Sequence, residues 1–240
     1  MGQFQNTVLV ATNNANKVPE IIENLDLVGW RFLTLPGLGI TEAPDETGET
    51  YEENALIKAR AAWSAAGSTE SAERHLQPAA YPVATLADDS GLEVDALGGA
   101  PGVHSARYAG EGATGERNIV KLLDELRDVP GDRRGARFVC TIAYIDEAGQ
   151  EIVSEATCEG MIASAPRGQF GFGYDPVFLP EEIEDGRTMA ELTSDEKNHI
   201  SHRGKALRAL RERLLSHYEP LRRLEEGEAQ VSRGGCDQCL

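Results

Sequence analysis

A chain of 240 residues can bury a substantial core, as one large domain or as two closely packed lobes. Its 40 Asp and Glu against 23 Lys and Arg give a formal charge of −17, which opposes non-specific attraction to DNA, RNA or anionic lipid and argues against nucleic acid as a partner. A small anionic substrate fits that field only where the few cations, joined by a metal, are concentrated at one site.

The apolar stretches are far shorter than the roughly 20 residues of a membrane helix. The start, MGQFQNTVLVAT, has no basic region ahead of a long apolar one. A soluble, cytoplasmic protein without membrane contact is therefore expected. Neither linkers nor internal repeats divide the chain. Cys140 and Cys158 fall in strand-like segments, while Cys236 and Cys239 form a CxxC in the tail. No second Cys/His pair accompanies that motif, so a solvated tail is the expectation rather than a zinc site or a disulfide framework.

In chain order, TVLVAT at 7–12 is apolar and β-branched, and the helical spacing of Val18, Ile21, Ile22 and Leu25 predicts a helix from Lys17. A second strand is predicted over 31–35, followed by a loop rich in Gly and Pro that ends in Asp45 and Glu46. Thr50 and Glu53 form a capping box ahead of an alanine-rich helix to about Ala66, with Ala55, Ala59, Ala62 and Trp63 on one side. Residues 67–82 read as a surface excursion, and 83–87 as a strand that Asp88-Asp89-Ser90-Gly91 follows. A helix over 114–127 comes next, then paired strands at 137–146 and 151–161 around Ala148-Gly149. After GQFGFGYDP come a short strand, a helix around 189–192, and a final helix capped by Ser201 and starting near Arg203. Strand-helix alternation interrupted by a hairpin predicts an α/β fold with a mixed sheet. The domain is expected to span 1–220, with a charged tail without fixed structure over 221–240.

Five sets of residues are candidates for chemistry. Thr12, Asn13, Asn14, Ala15, Asn16 and Lys17 lie between a strand and a helix, where backbone N–H groups and the Lys17 ammonium can hold phosphate. The glycines and GK[ST] ending of a P-loop are absent, and the segment also reads as an Asn-rich turn with a helix cap. Asp88 and Asp89, together with Asp45 and Glu46, offer the oxygen ligands magnesium prefers, or simply solvate a strand end and a loop. Asn54 and Lys58, four apart on one helix face, can meet a metal-held phosphate, or Lys58 can pair with surface Glu. Phe172, Gly173, Tyr174 and Asp175 combine rings that stack on a base with backbone that approaches it closely, or the rings are core. Lys197, His202 and Arg203 concentrate donors for a purine carbonyl or phosphate, or form a cationic surface loop.

In this order, T-x-N-x-x-K at 12–17, ENAxxKA at 53–59, ADDSGLEVDALGGAPGVHSARYAG, FGFGYDPVF and AELTxxEKNxISHRGKAL resemble the inosine/xanthosine triphosphate pyrophosphatase family over most of 7–215. The resemblance implies an elongated two-lobed α/β fold around a long mixed sheet, a nucleotide cleft between the lobes, and commonly a homodimer. It implies cleavage of non-standard purine triphosphates (ITP, dITP, XTP) between the α and β phosphates, to monophosphate and pyrophosphate, with Mg2+. By similarity, 12–17 bind the triphosphate and Asp89 accepts the proton and ligates magnesium with Glu46. Ser90 contacts substrate, 172–175 hold the nucleoside, and Lys197, His202 and Arg203 read the base. Asn16 stands where the family often has glycine, the 67–82 region is longer than in compact members, and the Cys-containing tail is additional. A pyrophosphatase for modified pyrimidine or ordinary nucleotides and a non-catalytic nucleotide sensor are the alternatives.

Overall fold

The structure, a computed structural model, describes residues 6–67 and 83–218. The predicted surface excursion beyond Gly67 and the tail with Cys236 and Cys239 lie outside the described residues. Six strands, β1 (Asn6–Val10), β2 (Trp30–Thr34), β3 (Ala84–Val94), β4 (Gly135–Ile145), β5 (Glu151–Ile162) and β6 (Phe178–Pro180), form one open sheet in the order β2-β1-β3-β4-β5-β6. The β2-β1-β3 part is parallel and the rest antiparallel, so the sheet is mixed as expected. Five helices accompany it among the described residues: α1 (Lys17–Leu25), α2 (Tyr51–Ala66), α3 (Gly115–Glu125), α4 (Ser194–Ile200) and α5 (His202–His217).

Period-two patterning assigns the faces. Val8 and Val10 of β1, Ala84 and Leu86 of β3, and Cys140, Ile142 and Tyr144 of β4 pack with Ile21 and Leu25 of α1 and with Leu207, Leu210 and Leu214 of α5. The intervening Leu9, Ala87, Ala143 and Ile145 face the other way, onto Ala55, Ala59, Ala62 and Ala66 of α2. That alanine stripe lets α2 lie close to the sheet. The Thr50 and Glu53 side chains form the predicted capping box. At the far end of the long strands a further cluster joins Leu92, Val94, Phe138 and Cys158 to Ile119 and Leu122 of α3 and to Val177, Phe178, Met189 and Leu192. This end and the β1–β2 end are the two lobes of a single sheet.

Two expectations about the elements are corrected. Asp88, Asp89, Ser90 and Gly91 do not follow β3 but lie inside it, because β3 is held along its whole length by antiparallel pairing with β4, Asp88 opposite Ile142 and Asp89 opposite Thr141. The segment Met189–Glu191 is a single 3-10 turn, and the helix there is α4, opened by its own capping box from Thr193 and Glu196. Gly91 is needed for packing, since a Cβ there would strike the Gly102 carbonyl and Ser105. Cys140 and Cys158 are buried free thiols, and burial pushes each up to about 12, which leaves them inert near neutrality. No described helix is long and apolar enough to cross a membrane.

Candidate active site

Strand β1 stops at Val10, opposite Leu86, while β3 runs on to Val94. From Ala87 onward β3 therefore has no β1 neighbour, and Asp88, Ser90, Gly91 and Leu92, but not Asp89, border a cleft of about 930 Å³ at the carboxyl end of the parallel strands. On the α1/α5 face the apolar row of β3 is interrupted at this point: Leu86 belongs to one core cluster, Leu92 to the next, and Asp88 and Ser90 come between them. Asp89 points to the opposite face, toward α2.

Thr12, Asn13, Asn14 and Lys17 line the cleft; Ala15 and Asn16 do not. The loop is closed by its own bonds: the Asn14 amide donates to Thr12 Oγ1 at 3.2 Å, the Asn16 amide to Asn14 Oδ1 at 3.0 Å, and the Lys17 amide to the Asn14 carbonyl at 3.0 Å. Those three amides are committed, and Lys17 reaches from the loop into the cleft. Its Nζ lies 2.8 Å from Asp88 Oδ2 and 3.5 Å from Ser90 Oγ.

Asp88 also accepts from Arg203 Nε and Nη2, each at 3.2 Å. Burial opposes ionisation of Asp88, but Lys17, Arg203 and Lys58 outweigh it and hold the carboxyl well below the usual range. Its Oδ1 is buried without a hydrogen-bond partner among the described residues. Arg203 Nη1 donates to Glu20 Oε2 at 2.6 Å and Nη2 to Ser90 Oγ at 3.1 Å, so this 2 % exposed guanidinium is almost fully committed.

Lys197 continues the chain of charges, donating to Glu20 Oε1 and Asp175 Oδ2, both at 2.9 Å. Asp175 Oδ2 accepts as well from the Phe172 amide at 2.8 Å. That clamp folds the glycine-rich loop back on itself: Gly171 has φ +74°, and a Cβ there would run into the Asp175 carboxylate. The Phe172 ring faces Lys197 Nζ at 4.6 Å and the Arg203 guanidinium carbon at 5.6 Å. Tyr174 borders the cleft but is buried, and its hydroxyl donates to the Ser105 carbonyl at 2.9 Å, so it serves the core as well. The His202 ring stacks on Phe138 at 4.7 Å and 11°. Burial, reinforced by Arg203 and Lys197, lowers its pKa well below the ordinary value, so the ring is neutral; its Nδ1 is buried without a partner among the described residues.

On the α2 face, Lys58 Nζ lies 2.7 Å from Asp89 Oδ1 and 3.7 Å from Glu46 Oε1. Burial raises the Asp89 pKa despite Lys58. Asn54, expected to meet phosphate, is fully enclosed: its Nδ2 donates to Asp89 Oδ2 at 3.4 Å and its Oδ1 accepts from the Gly48 amide at 2.9 Å. It fixes Asp89 and the Glu46 loop instead. Of the acidic pair before α2, Glu46 lines the cleft and Asp45 is exposed outside it. Among the described residues no group of three or more His, Cys, Asp or Glu forms a metal cage. Two converging carboxylates suit a hard cation that keeps waters and takes substrate oxygens, as magnesium does.

Sequence reading missed Glu20 and Phe138. Glu20 follows Lys17 by three residues and so shares its helix face, a signal that was present but is common on solvated helices. Phe138 carried no signal, because only the β3–β4 register brings it under His202.

The fold and the cleft define an open-sheet α/β protein with a cleft lined by Lys17, Lys58, Lys197 and Arg203 at the end of its parallel strands. The chain belongs to the Ham1 family, whose model matches residues 8–213. It is 52% identical over 208 residues to a dITP/XTP pyrophosphatase of Geobacillus kaustophilus, covering 85% of this chain and 92% of that one. To the dITP/XTP pyrophosphatase of Bacillus subtilis it is 45% identical over 202 residues, covering 84% and 93%. Among solved structures, a HAM1 protein from Coxiella burnetii superposes with a TM-score of 0.73 at 39% identity, covering 88% of this chain and all of that one.

Proposed function

We propose that this protein hydrolyses non-standard purine nucleoside triphosphates (ITP, dITP and XTP) to the monophosphate and pyrophosphate, and so keeps such bases out of DNA and RNA. The observation that carries the reading is the pair Asp88 and Asp89, aimed at opposite faces of one unpaired strand edge. One organises cations, and the other lies behind Lys58, which lines the cleft. The names of the relatives support the substrate class.

In this reading Asp89 accepts the proton of the water that attacks the α-phosphorus. A carboxylate raised toward neutrality by burial is better matched to that task than an ordinary one. Lys17 neutralises the departing pyrophosphate, and Ser90 orients the phosphate chain beside it. Glu46 and Asp89 would hold the magnesium ion, which when bound supplies further neutralisation of the triphosphate. Phe172 stacks on the base, and neutral His202 with Arg203 and Lys197 recognises the 6-oxygen. An adenine amino group would leave those donors facing another donor, a mismatch worth about 10⁴ in discrimination where a site is built around the bond. A cytoplasmic location, where nucleotide pools lie, and a homodimer, drawn from the sequence resemblance, complete the reading.

The test is product analysis with magnesium and ITP, XTP, GTP and ATP, scoring pyrophosphate and orthophosphate separately. Pyrophosphate plus monophosphate from the first two, with little turnover of the others, is the expected result. Tight binding without turnover would make the protein a sensor, and orthophosphate plus diphosphate would place the attack at the wrong phosphorus.

A further inference from the structure

Lys58 does not project freely into the cleft. Its ammonium sits between Asp89 Oδ1 at 2.7 Å and Glu46 Oε1 at 3.7 Å. These are the two carboxylates that would hold magnesium in the proposed function, and the role inferred for Lys58 rests on that assignment. The place where a divalent cation would be shared is thus already neutralised by a monovalent one belonging to the chain.

The partners differ in freedom. Asp89 is fixed by its position inside β3 and by Asn54. Lys58 reaches the pair on a four-carbon stem from α2, lines the cleft, and keeps 16% of its side chain exposed. Lys17 differs in its partner: Asp88 is shared with the buried Arg203. A metal ion and an ammonium cannot both take the same Asp89 oxygen, since like charges at such spacing repel strongly in a partly buried site. The mobile member yields.

We infer that Lys58 is a displaceable counter-ion, held on Glu46 and Asp89 in the free protein and expelled into the cleft when the divalent cation arrives. One event then does two things. It exchanges the ammonium on Asp89 Oδ1 for the divalent cation, and it delivers a positive charge to the space the phosphates enter. Metal and nucleotide consequently bind with positive coupling through Lys58, and each raises affinity for the other by the same factor. Without metal, Lys58 stays on Asp89.

The test uses Mn2+ as the probe, with nucleotide absent, and reads free Mn2+ by electron paramagnetic resonance. Lys58→Gln is expected to bind Mn2+ at least about tenfold more tightly than wild type, because the competing charge is gone. Glu46→Gln in the Lys58→Gln background is expected to reverse that gain. Equal or weaker binding by Lys58→Gln overturns the displacement while leaving the metal assignment standing. A gain untouched by Glu46→Gln overturns the metal assignment and the inference together. Wild type supplies an independent measurement: reductive methylation of Lys58, quantified by mass spectrometry against exposed Lys121, should quicken severalfold when Mg2+ is added without nucleotide. An unchanged Lys58 rate at saturating Mg2+ overturns the inference.

Discussion

Asp88→Asn keeps the shape of the side chain and removes its charge, which isolates what the carboxylate does between Lys17 and Arg203. With Lys17 at 2.8 Å and Arg203 at 3.2 Å, each attraction amounts to about 5–6 kcal/mol at an effective dielectric constant of about 20. Desolvation of a wholly enclosed carboxylate offsets much of that. What the substitution exposes is the repulsion of two buried cations left without their common partner, and breaking such a network costs about 3–5 kcal/mol. For a chain of this size the loss corresponds to a Tm lower by roughly 6–20 °C. The sign with pH comes from the depressed carboxyl. Its stabilisation is complete above the unfolded value of about 4 and is lost as pH falls below it toward the folded value. Thermal melts of both proteins from pH 8 downward should show a constant gap to about pH 5 that narrows below about pH 4. A variant as stable as wild type at pH 7 would refute the account of Asp88 as the anchor of the cation cluster.

Asp89→Asn should retain the circular dichroism of wild type and lose about 10²–10⁴-fold in turnover; a folded variant with near-normal activity would remove Asp89 from its assigned role. Because burial raises the Asp89 pKa in the metal-free protein, its carboxyl should titrate above the ordinary aspartate value by NMR without Mg2+, and a midpoint at or below about pH 4 would contradict this. Glu20→Gln loosens Lys197 and Arg203 together, so kcat/KM for ITP should drop by about 10–100-fold, the worth of a hydrogen bond to a charged group; an unaltered value would show that Asp88 and Asp175 suffice to hold both cations. His202→Ala should narrow the preference for ITP over ATP by reducing ITP turnover, and in wild type that preference should stay flat between about pH 6 and 8, since burial keeps the ring neutral. A preference that tracks an imidazole titration would mean that the ring is charged in the complex.

Local signals in the sequence were reliable where short-range physics sets the outcome. The Thr50–Glu53 capping box, the alanine stripe of α2 and the turn at Ala148-Gly149 each depend on residues a few positions apart, and each stands in the structure as read. Strand β3 was misread because its second half, ADDSGLEV, is held in the sheet by β4 and not by any hydrophobic run of its own. The candidate residues were mostly legible as types, but not their commitments. Nothing near Asn54 in sequence says that its amide is spent on Asp89 and Gly48, 35 and 6 residues away. Nor does the motif around Arg203 reveal Glu20, 183 residues earlier, as its partner.

Those commitments explain how an acidic chain can present a site for a polyanion. Lys17, Lys58, Lys197 and Arg203 are each ion-paired, to Asp88, to Asp89 and Glu46, to Glu20 and Asp175, and to Asp88 and Glu20 respectively. The carboxylates reduce the raw attraction for phosphate, yet they set Lys17, Lys197 and Arg203 at fixed points before substrate arrives, and catalysis rewards charges that need no rearrangement during the reaction. Strand β3 makes this possible in a single span. Alternation sends Asp88 to the α1/α5 face, where it ties the start of α1 to the start of α5, and sends Asp89 to the α2 face, where Lys58 covers it. Because β1 ends at Val10, the edge between the two faces is open, and one cleft can draw on both. Had β1 continued beside β3, the two aspartates would have been divided by the sheet, and the proposed function could not draw on both.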